Sequence, residues 1–310
     1  MQPLVSVVIP TRNRPLLVKR AVQSALAQTL KELEVIVVID GSDEVTPVEL
    51  AKIDEQRLRV IELPVSQGAA DARNVGVSES AGEWIAFLDD DDEWLPQKLE
   101  VQLQAANCSN YAFPIVACCL IARTPKGEFI WPRRLPTPSE PLSEYLLARN
   151  SLFHGEGLIQ TSVLFTKKDL LQNVPFTSGL QKHQDWDWLL RVSTWDGVGL
   201  EFVPEPLVIW YAEEQRKSIS GKNNWRYSLD WIQKNRNLVT PRAYAAFIMT
   251  SVSMVAAREG DRKAFWPLLW EAMRSGQPKP IDFLLYAGMW LIPQNTRRQL
   301  RAVMQQVNQR

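Results

Sequence analysis

The sequence predicts an α/β fold with a mixed, mainly parallel sheet, flanked by helices and followed by a C-terminal helical extension. Over the first hundred residues, short runs rich in Val and Ile alternate with segments of helical periodicity. These runs are apolar throughout, which is typical of strands that helices cover on both faces. From about residue 222 onward, no convincing strand pattern remains.

The first hundred residues contain four predicted strands that alternate with four predicted helices. Asn13 and Pro15 mark the start of the first helix, and Gly82 ends the third. The predicted strands are 4–10, 33–40, 58–64 and 84–89, and the predicted helices are 15–29, 49–56, 69–80 and 95–106.

The rest of the chain first mixes strands with loops and then becomes helical. Pro and Gly, including Pro241, Gly260 and Pro293, separate the later helices. In the middle section we predict strands at 115–122, 158–166 and 200–211, a strand followed by a Pro-rich loop within 129–147, and a helix at 183–195. The later predicted helices are 225–237, 241–258, 261–274, 281–292 and 295–309.

Charge divides the chain into two parts although the formal net charge is zero. Residues 215–310 carry 16 Lys/Arg and 5 Asp/Glu, a net charge of +11, whereas residues 1–214 carry 19 and 30, a net charge of −11. An acidic first part joined to a basic last part suggests two roles or two partners. We therefore predict one domain over 1–215 and a basic α-helical region over 216–310, with the boundary in the polar segment 214–224.

The sequence favours a cytoplasmic protein, with peripheral contact at the inner face of the membrane left open. Cys108, Cys118 and Cys119 match no metal or disulfide framework, which suits a reducing compartment. The N-terminus lacks the basic segment and cleavage site of a signal peptide. The longest apolar run near the end, 283–293, is shorter than the roughly 20 residues that a bilayer span requires.

Common nucleotide and zinc motifs are absent from the sequence. The segment "PTRNRP" after the first strand contains no glycine, so it lacks the G-x-G-x-x-G fingerprint of dinucleotide-binding proteins. No G-x-x-x-x-G-K-[ST] loop is present. The two histidines, His154 and His183, do not favour a histidine-based zinc site and are more typical of loop or packing positions.

Acidic residues follow two of the predicted strands. Asp40 ends the second strand, and the four residues 89–92 of "FLDDDDEW" follow the fourth. Ligands of open α/β sheets bind at the carboxyl ends of the strands, and carboxylate oxygens suit a hard divalent cation that can bridge a diphosphate. The alternative is a solvated acidic turn.

Four motifs together resemble glycosyltransferase family 2. They are "VSVVIPTRNRP", "VIVVIDGSDE", "GAADARNVGVSESAGEWIAFLDDDDEW" and "HQDWDWLLR", in that order, within residues 4–211. The resemblance implies a GT-A fold, with nucleotide-sugar binding in 1–110 and an acceptor and base region in 111–215. It also implies inverting transfer from a nucleotide diphosphate donor, usually UDP, to a hydroxyl acceptor, with Mn²⁺ or Mg²⁺ as cofactor. Synthesis of a cell-surface polysaccharide or a lipid-linked glycan is the expected setting.

The resemblance also implies roles for individual residues. Asp185 is the implied general base, and Asp89 and Asp91 are the implied metal ligands, with Asp91 the more direct. Two positions depart from the family pattern, because Gln184 stands where a Glu is usual and Ile39 where an Asp is usual. The implied donor-binding residues are Pro10, Thr11, Arg12, Asp40, Arg73 and Asp90.

Several structural alternatives stay open at this stage. Asp40 could shape the turn before Gly41, Asp185 could be the N-cap of its helix, and Arg73 could be a structural ion-pair partner. The "DWDWLL" tryptophans are expected to lie mostly in the core.

The sequence also leaves open two other functions and two roles for the C-terminal region. A non-catalytic sugar-nucleotide-binding protein and a nucleotidyltransferase are the alternative functions, although the latter would need a Gly-rich loop after the first strand. The basic helices, with Trp266, Trp270 and Trp290, suit an anionic membrane surface and hence a lipid-linked acceptor. Alternatively they form a helical cap, and nucleic-acid binding is not favoured.

Overall fold

One mixed sheet organises the first part of the chain. The structure, a computed structural model, describes residues 2–125, 127–152, 155–211 and 225–292. The strands are β1 (Val5–Thr11), β2 (Leu33–Ile39), β3 (Leu58–Glu62), β4 (Trp84–Phe87), β5 (Glu93–Trp94), β6 (Phe113–Thr124), β7 (Gly127–Trp131), β8 (Phe165–Lys167) and β9 (Val198–Tyr211). The helices are α1 (Pro15–Leu26), α2 (Thr46–Leu50), α3 (Ala69–Glu79), α4 (Lys98–Cys108), α5 (Leu142–Leu147), α6 (Lys168–Asn173), α7 (Gln184–Val192), α8 (Trp225–Lys234), α9 (Pro241–Phe247), α10 (Ser253–Glu259), α11 (Phe265–Ser275) and α12 (Pro280–Leu291).

The strand order confirms the predicted mixed, mainly parallel sheet. Described strands follow the order β3-β2-β1-β4-β8-β6-β9-β5, and β7 pairs with β6. The longest ladders, β1 with β2 and β6 with β9, are parallel, whereas β8 is antiparallel to both β4 and β6. Every residue of β1, β2 and β4 is buried. The carboxyl ends of β1, β2 and β4 therefore lie at the same edge of the sheet.

A close approach of α3 to β1 fixes the position of that helix. A Cβ added at Gly76 would clash with the side chain of Val8, so only glycine fits at this contact. Ala72 and Arg73 lie on the buried side of the same helix. The glycine of the "ARNVG" motif thus lets α3 pack tightly on the sheet and places Arg73 over the strand ends.

The predicted strand at 158–166 was only partly correct. Residues Thr161–Val163 form a 3-10 turn, and only the following β8 belongs to the sheet. Ser162 is fully buried in this turn. The elements α5, α6 and β5 were not predicted, because segments of two to six residues are too short to show a period of their own.

The chain divides into two compact units, and the second is helical. The first unit is Met1–Leu135 with Ile159–Arg216, and the second is Pro136–Leu158 with Lys217–Arg310. Helix α5 packs against α9 within the second unit, where Thr240 Oγ1 donates to Glu144 Oε1 at 2.9 Å. Residues 136–158, placed before the predicted boundary, therefore fold with the later helices. The predicted segments 214–224 and 295–309 lie outside the described residues, as does His154.

Within the second unit, α9 and α10 form the continuous helix predicted at 241–258. A π-helical stretch, Ile248–Val252, joins them, and Gly260 ends the helix with a left-handed φ of 74°. A buried ion pair between Arg242 and Asp282 ties α9 to the start of α12. None of the helices in the described residues combines the length and the apolarity needed to cross a membrane.

Candidate active site

Most of the predicted site residues lie at the carboxyl ends of parallel strands, whereas Arg73 and Asp185 lie on α3 and α7. Asp40 follows β2, the cluster 89–92 follows β4, and Arg12 follows β1. Pro10 and Thr11 are the last two residues of β1 rather than loop residues, and Pro10 is buried in register with Val38. The loop after the first strand therefore begins at Arg12.

Asp40 holds the loop that leads into α3. Its Oδ2 accepts hydrogen bonds from Ser66 Oγ at 2.7 Å and from the Gly68 N–H at 3.0 Å, and its Oδ1 accepts one from the Gln67 N–H at 2.7 Å. A carboxylate can accept about four hydrogen bonds, so these three leave acceptor capacity for a ligand. The structural alternative placed Asp40 in the turn before Gly41, whereas its carboxylate holds residues 66–68 of the loop after β3 and keeps acceptor capacity.

Gly41 and Arg12 complete this loop contact. Gly41 has a φ of +95°, and a Cβ there would lie 3.0 Å from the Ser66 nitrogen. Both observations require glycine, because L-residues rarely adopt this φ and the backbone of the facing loop leaves no space. Arg12 Nη1 donates to Ser66 Oγ at 2.8 Å, which joins the loop after β1 to the loop after β3.

Asp90 is an internal anchor for the loop after β1. Its Oδ2 accepts from Thr11 Oγ1 at 2.8 Å, and its Oδ1 pairs with Arg14 Nη1 at 2.9 Å. The same Arg14 nitrogen lies 3.1 Å from Asp91 Oδ2. Burial, with the charge of Asp91 adding to it, raises the pKa of Asp90 to about 6 although Arg14 opposes the shift.

The acidic cluster fits a hard divalent cation. Carboxylate oxygens of Asp89, Asp91 and Asp92 lie within 4.8 Å of one another. Oxygen ligands from several carboxylates are what Mg²⁺ and Mn²⁺ prefer. Asp92 is 1% exposed and Asp90 is 6% exposed, which argues against a fully solvated acidic turn. Ser162 Oγ accepts from the Asp89 N–H at 3.0 Å and donates to Asp92 Oδ2 at 2.6 Å, which fixes the shape of the cluster.

Arg73 connects the acidic cluster with helix α7. Its Nη2 donates to Asp89 Oδ1 and its Nη1 to Gln184 Oε1, both at 2.6 Å. The next residue, Asn74, exchanges two hydrogen bonds of 2.9 Å with the backbone of Phe176. Arg73 is therefore an ion-pair partner, as the structural alternative proposed, and also the residue that brings two parts of the site together.

Asp185 lies in the first turn of α7 rather than at its N-cap. The N-cap position is His183, which has a left-handed φ of 66°. Trp188, fully buried as expected, anchors the helix in the core. Burial raises the pKa of Asp185 to about 6, and the charge of Asp89 adds to the shift while Arg73 opposes it. A carboxylate with this pKa is poised to accept a proton near neutral pH.

Several contacts at the site did not follow from the sequence. They are made by Arg14, Ser66, Ser162 and the amide of Gln184. Arg14 carried a usable signal, because a cation beside an acidic cluster is expected to pair with it. Ser162 carried none, since it lay within a segment predicted as a strand.

Comparison with known proteins identifies the family. The model of glycosyl transferase family 2 matches residues 6–173, more than half of the chain. The chain is 33% identical to TuaG of Bacillus subtilis, a glycosyltransferase assigned to teichuronic acid biosynthesis, over 54% of this chain and 70% of TuaG. It is also 33% identical to the Escherichia coli UDP-Glc:alpha-D-GlcNAc-diphosphoundecaprenol beta-1,3-glucosyltransferase WfgD, over 36% of this chain and 44% of WfgD.

The fold also matches a solved structure. The crystal structure of S. aureus TarS residues 1–349 in complex with UDP-GlcNAc superimposes with a TM-score of 0.57 and 17% identity, covering 92% of this chain and 79% of that one. This likeness concerns the fold alone, and it confirms the GT-A-type architecture. The family favours sugar transfer over the nucleotidyltransferase and the non-catalytic binding protein. The chain belongs to glycosyl transferase family 2 and is a glycosyltransferase.

Proposed function

We propose that this glycosyltransferase is metal-dependent and inverting, and that it transfers a sugar from a UDP-linked donor to a hydroxyl acceptor. The observation that carries the proposal is the contact of Arg73 with both Asp89 and Gln184, at 2.6 Å each. Through this arginine, the acidic cluster of one strand end lies beside Asp185, a separate carboxylate with a pKa of about 6. The reaction requires departure of the diphosphate and deprotonation of the acceptor. On this proposal, the acidic cluster serves the first step and the neighbouring Asp185 serves the second.

The donor side is formed by the loops after β1, β2 and β3. Asp40 would accept a hydrogen bond from the base, and Arg12, Arg73 and Asp90 would line or support the diphosphate region. Arginine is well suited to such a region, because its planar guanidinium group can donate two hydrogen bonds to the oxygens of one phosphate. UDP is supported by two similar proteins, since WfgD is named for UDP-Glc and TarS was crystallised with UDP-GlcNAc.

Asp89 and Asp91 would hold Mn²⁺ or Mg²⁺. Their side chains are 32% and 18% exposed, so a ligand can reach them, whereas Asp92 is buried and shares the Ser162 hydroxyl with Asp89. When bound, the cation acts as a Lewis acid that offsets the negative charge developing on the diphosphate. Arg14 and Arg73 supply positive charge at the same place from the chain itself.

Asp185 would take the proton from the acceptor hydroxyl. General-base assistance by a positioned carboxylate contributes about 10²- to 10⁴-fold to a rate. We assign one base, Asp185, and a single displacement by the activated hydroxyl would invert the configuration at the sugar carbon. The acceptor we propose is a sugar or a lipid-linked sugar, because WfgD is named for a diphosphoundecaprenol-linked acceptor. A lipid-linked acceptor also implies contact of the 216–310 region with an anionic membrane.

A donor panel tests this proposal. The protein is titrated with UDP-, GDP- and dTDP-sugars in the presence of Mn²⁺, Mg²⁺ or a chelator, and binding and donor hydrolysis are measured. We expect a UDP-sugar to bind, and the chelator to weaken binding at least about tenfold. Absence of binding for every nucleotide sugar, with or without metal, would show the proposal to be wrong. The anomeric configuration of the product, read by NMR, tests inversion.

The Gln184→Glu variant should move the acidic limb of the pH profile upward. The new carboxylate would pair with Arg73, whose positive charge now lowers the pKa of Asp185. Both the added negative charge and the loss of this influence raise that pKa, by about 0.5 to 1 unit. Activity requires ionised Asp185, so kcat/KM should begin to fall at a higher pH than in the wild type.

The matched control for this variant is Gln172→Glu, which adds the same charge at an exposed position of α6. Its pH profile should overlay the wild-type profile. An unchanged limb in Gln184→Glu would mean that the titration of Asp185 does not control the rate.

A further inference from the structure

The outer face of α11 is an exposed aromatic stripe. Trp266, Trp270 and Met273 follow one another at helical spacing and are 72%, 65% and 52% exposed. Leu268 and Ala272, on the opposite side of the helix, are buried in the second unit. The stripe is thus not a core-facing surface, and we call it the tryptophan face.

The neighbouring helix α12 extends the apolar surface of this unit. Phe265 at the start of α11 packs against Tyr286 and Trp290 of α12, with ring centroids 5.1 and 5.5 Å apart. The only charged residue of α12, Asp282, is buried and paired with Arg242. The exposed side chains of α12 include Phe283, Leu284 and Leu291 and carry no charge.

The acidic and basic side chains around these helices differ in their exposure. Over the described residues 258–292, the acidic side chains other than Glu259 are engaged within the unit. Asp261 accepts from Trp225 and Arg226, and Glu271 from the Tyr244 hydroxyl. The exposed cations in the same range are Arg258, Arg262, Lys263, Arg274 and Lys279.

We infer that the tryptophan face is a docking surface for an anionic lipid bilayer. Tryptophan is the side chain that favours the boundary between headgroups and acyl chains, because its ring is apolar and its N–H is polar. Basic residues beside such a face attract anionic headgroups. The face therefore lies on the interface rather than spanning it.

Docking through this surface would place the enzyme at the membrane. The purpose of the docking rests on the proposed function, because it assumes a lipid-linked acceptor. A transferase that docks on the bilayer meets an acceptor that diffuses in two dimensions. A second copy of the chain is the competing partner for this face. Two copies would bring like positive charges together, whereas an anionic bilayer complements the basic surface around the apolar stripe.

The test is co-sedimentation of the full chain with phosphatidylcholine vesicles that contain or lack phosphatidylglycerol, without donor or acceptor. The wild type should bind the anionic vesicles, and raising NaCl from about 0.05 to about 0.5 M should weaken binding several-fold. Trp266→Ala with Trp270→Ala should reduce the partition coefficient at least about tenfold. Trp195→Ala, an exposed tryptophan of the first unit, is the matched control and should bind like the wild type.

Three results would overturn the inference. They are wild-type protein that ignores anionic vesicles at low salt, equal binding of vesicles without phosphatidylglycerol, and a double variant that binds normally. A wild-type dimer in light scattering that becomes a monomer in the double variant would assign the face to self-association instead. Thermal melting of the double variant checks that it is folded, and quenching of wild-type fluorescence by brominated lipid provides a measurement that needs no variant.

Failure of this inference is distinguishable from failure of the proposed function. Vesicle binding is measured without nucleotide, and donor binding is measured without vesicles. The double variant should keep wild-type donor hydrolysis and lose transfer only to an acceptor embedded in vesicles. Equal transfer to that acceptor by the variant and the wild type would also count against the docking role.

Discussion

Asp185→Asn is expected to lower glycosyl transfer by about 10²- to 10⁴-fold while donor binding stays close to that of the wild type. The amide keeps the shape of the side chain but cannot accept the acceptor proton. The donor contacts proposed above involve other residues, so the dissociation constant of the nucleotide sugar should change little. Steady-state kinetics and calorimetric titration of the donor measure the two effects separately.

The same variant should be at least as stable as the wild type. The folded-state pKa of Asp185, about 6, lies above its ordinary value of 3.8, so the folded protein holds this proton more tightly than the unfolded chain does. The stability that protonated Asp185 contributes is present below about pH 4 and is lost as the pH rises through 6. Asparagine does not ionise, so the melting temperature of the variant at pH 7.5 should be unchanged or higher.

Asp196→Asn is the matched control, because it removes one carboxylate at an exposed position just beyond α7. It should retain activity, donor binding and stability. If Asp185→Asn loses donor binding together with activity, or melts well below the wild type, the residue has a structural role and is not the base.

Asp91→Asn should abolish the effect of metal on the protein. The variant loses a charged oxygen ligand, and we expect kcat/KM to fall by at least about 100-fold. Mn²⁺ should tighten donor binding by the wild type and leave binding by the variant unchanged. Arg14 keeps its pairing with Asp90 at 2.9 Å, so the loop should stay in place.

Asp54→Asn is the control for this loss of charge, because Asp54 is exposed and precedes β3, at the amino ends of the parallel strands rather than at their carboxyl ends. It should behave as the wild type in both assays. Metal-dependent donor binding that survives in Asp91→Asn would remove this residue from the proposed cation site.

The sequence predicted those parts of the fold that repeat a local pattern. Strands such as β1 and β2 are continuous runs of Val and Ile buried on both faces, and α1 repeats apolar residues at helical spacing. Asp40 and Asp89 could be placed at one edge because parallel strands bring their carboxyl ends together. The resemblance to the family supplied the roles that spacing could not, above all that of Asp185.

The parts that the sequence did not predict depend on contacts between distant residues. Arg73 and Gln184 are 111 positions apart, and Ser162 reaches Asp92 across 70 positions. Such contacts form where loops meet once the sheet has folded. The local periodicity of the sequence contains no information about them. The assignment of 136–158 to the helical unit is of the same kind, because it rests on contacts such as the hydrogen bond from Thr240 to Glu144, 96 positions away.

The pairing of the four consecutive aspartates after β4 has a consequence for folding. Each has a partner within the chain, since Arg73 pairs with Asp89, Arg14 with Asp90 and Asp91, and Ser162 hydrogen-bonds Asp92. These two arginines act as internal counterions, so part of the repulsion within the cluster is offset without a metal. Unlike a zinc finger, whose folding requires its ion, this chain carries partners for the cluster within itself, and we expect it to fold before a cation or a substrate binds.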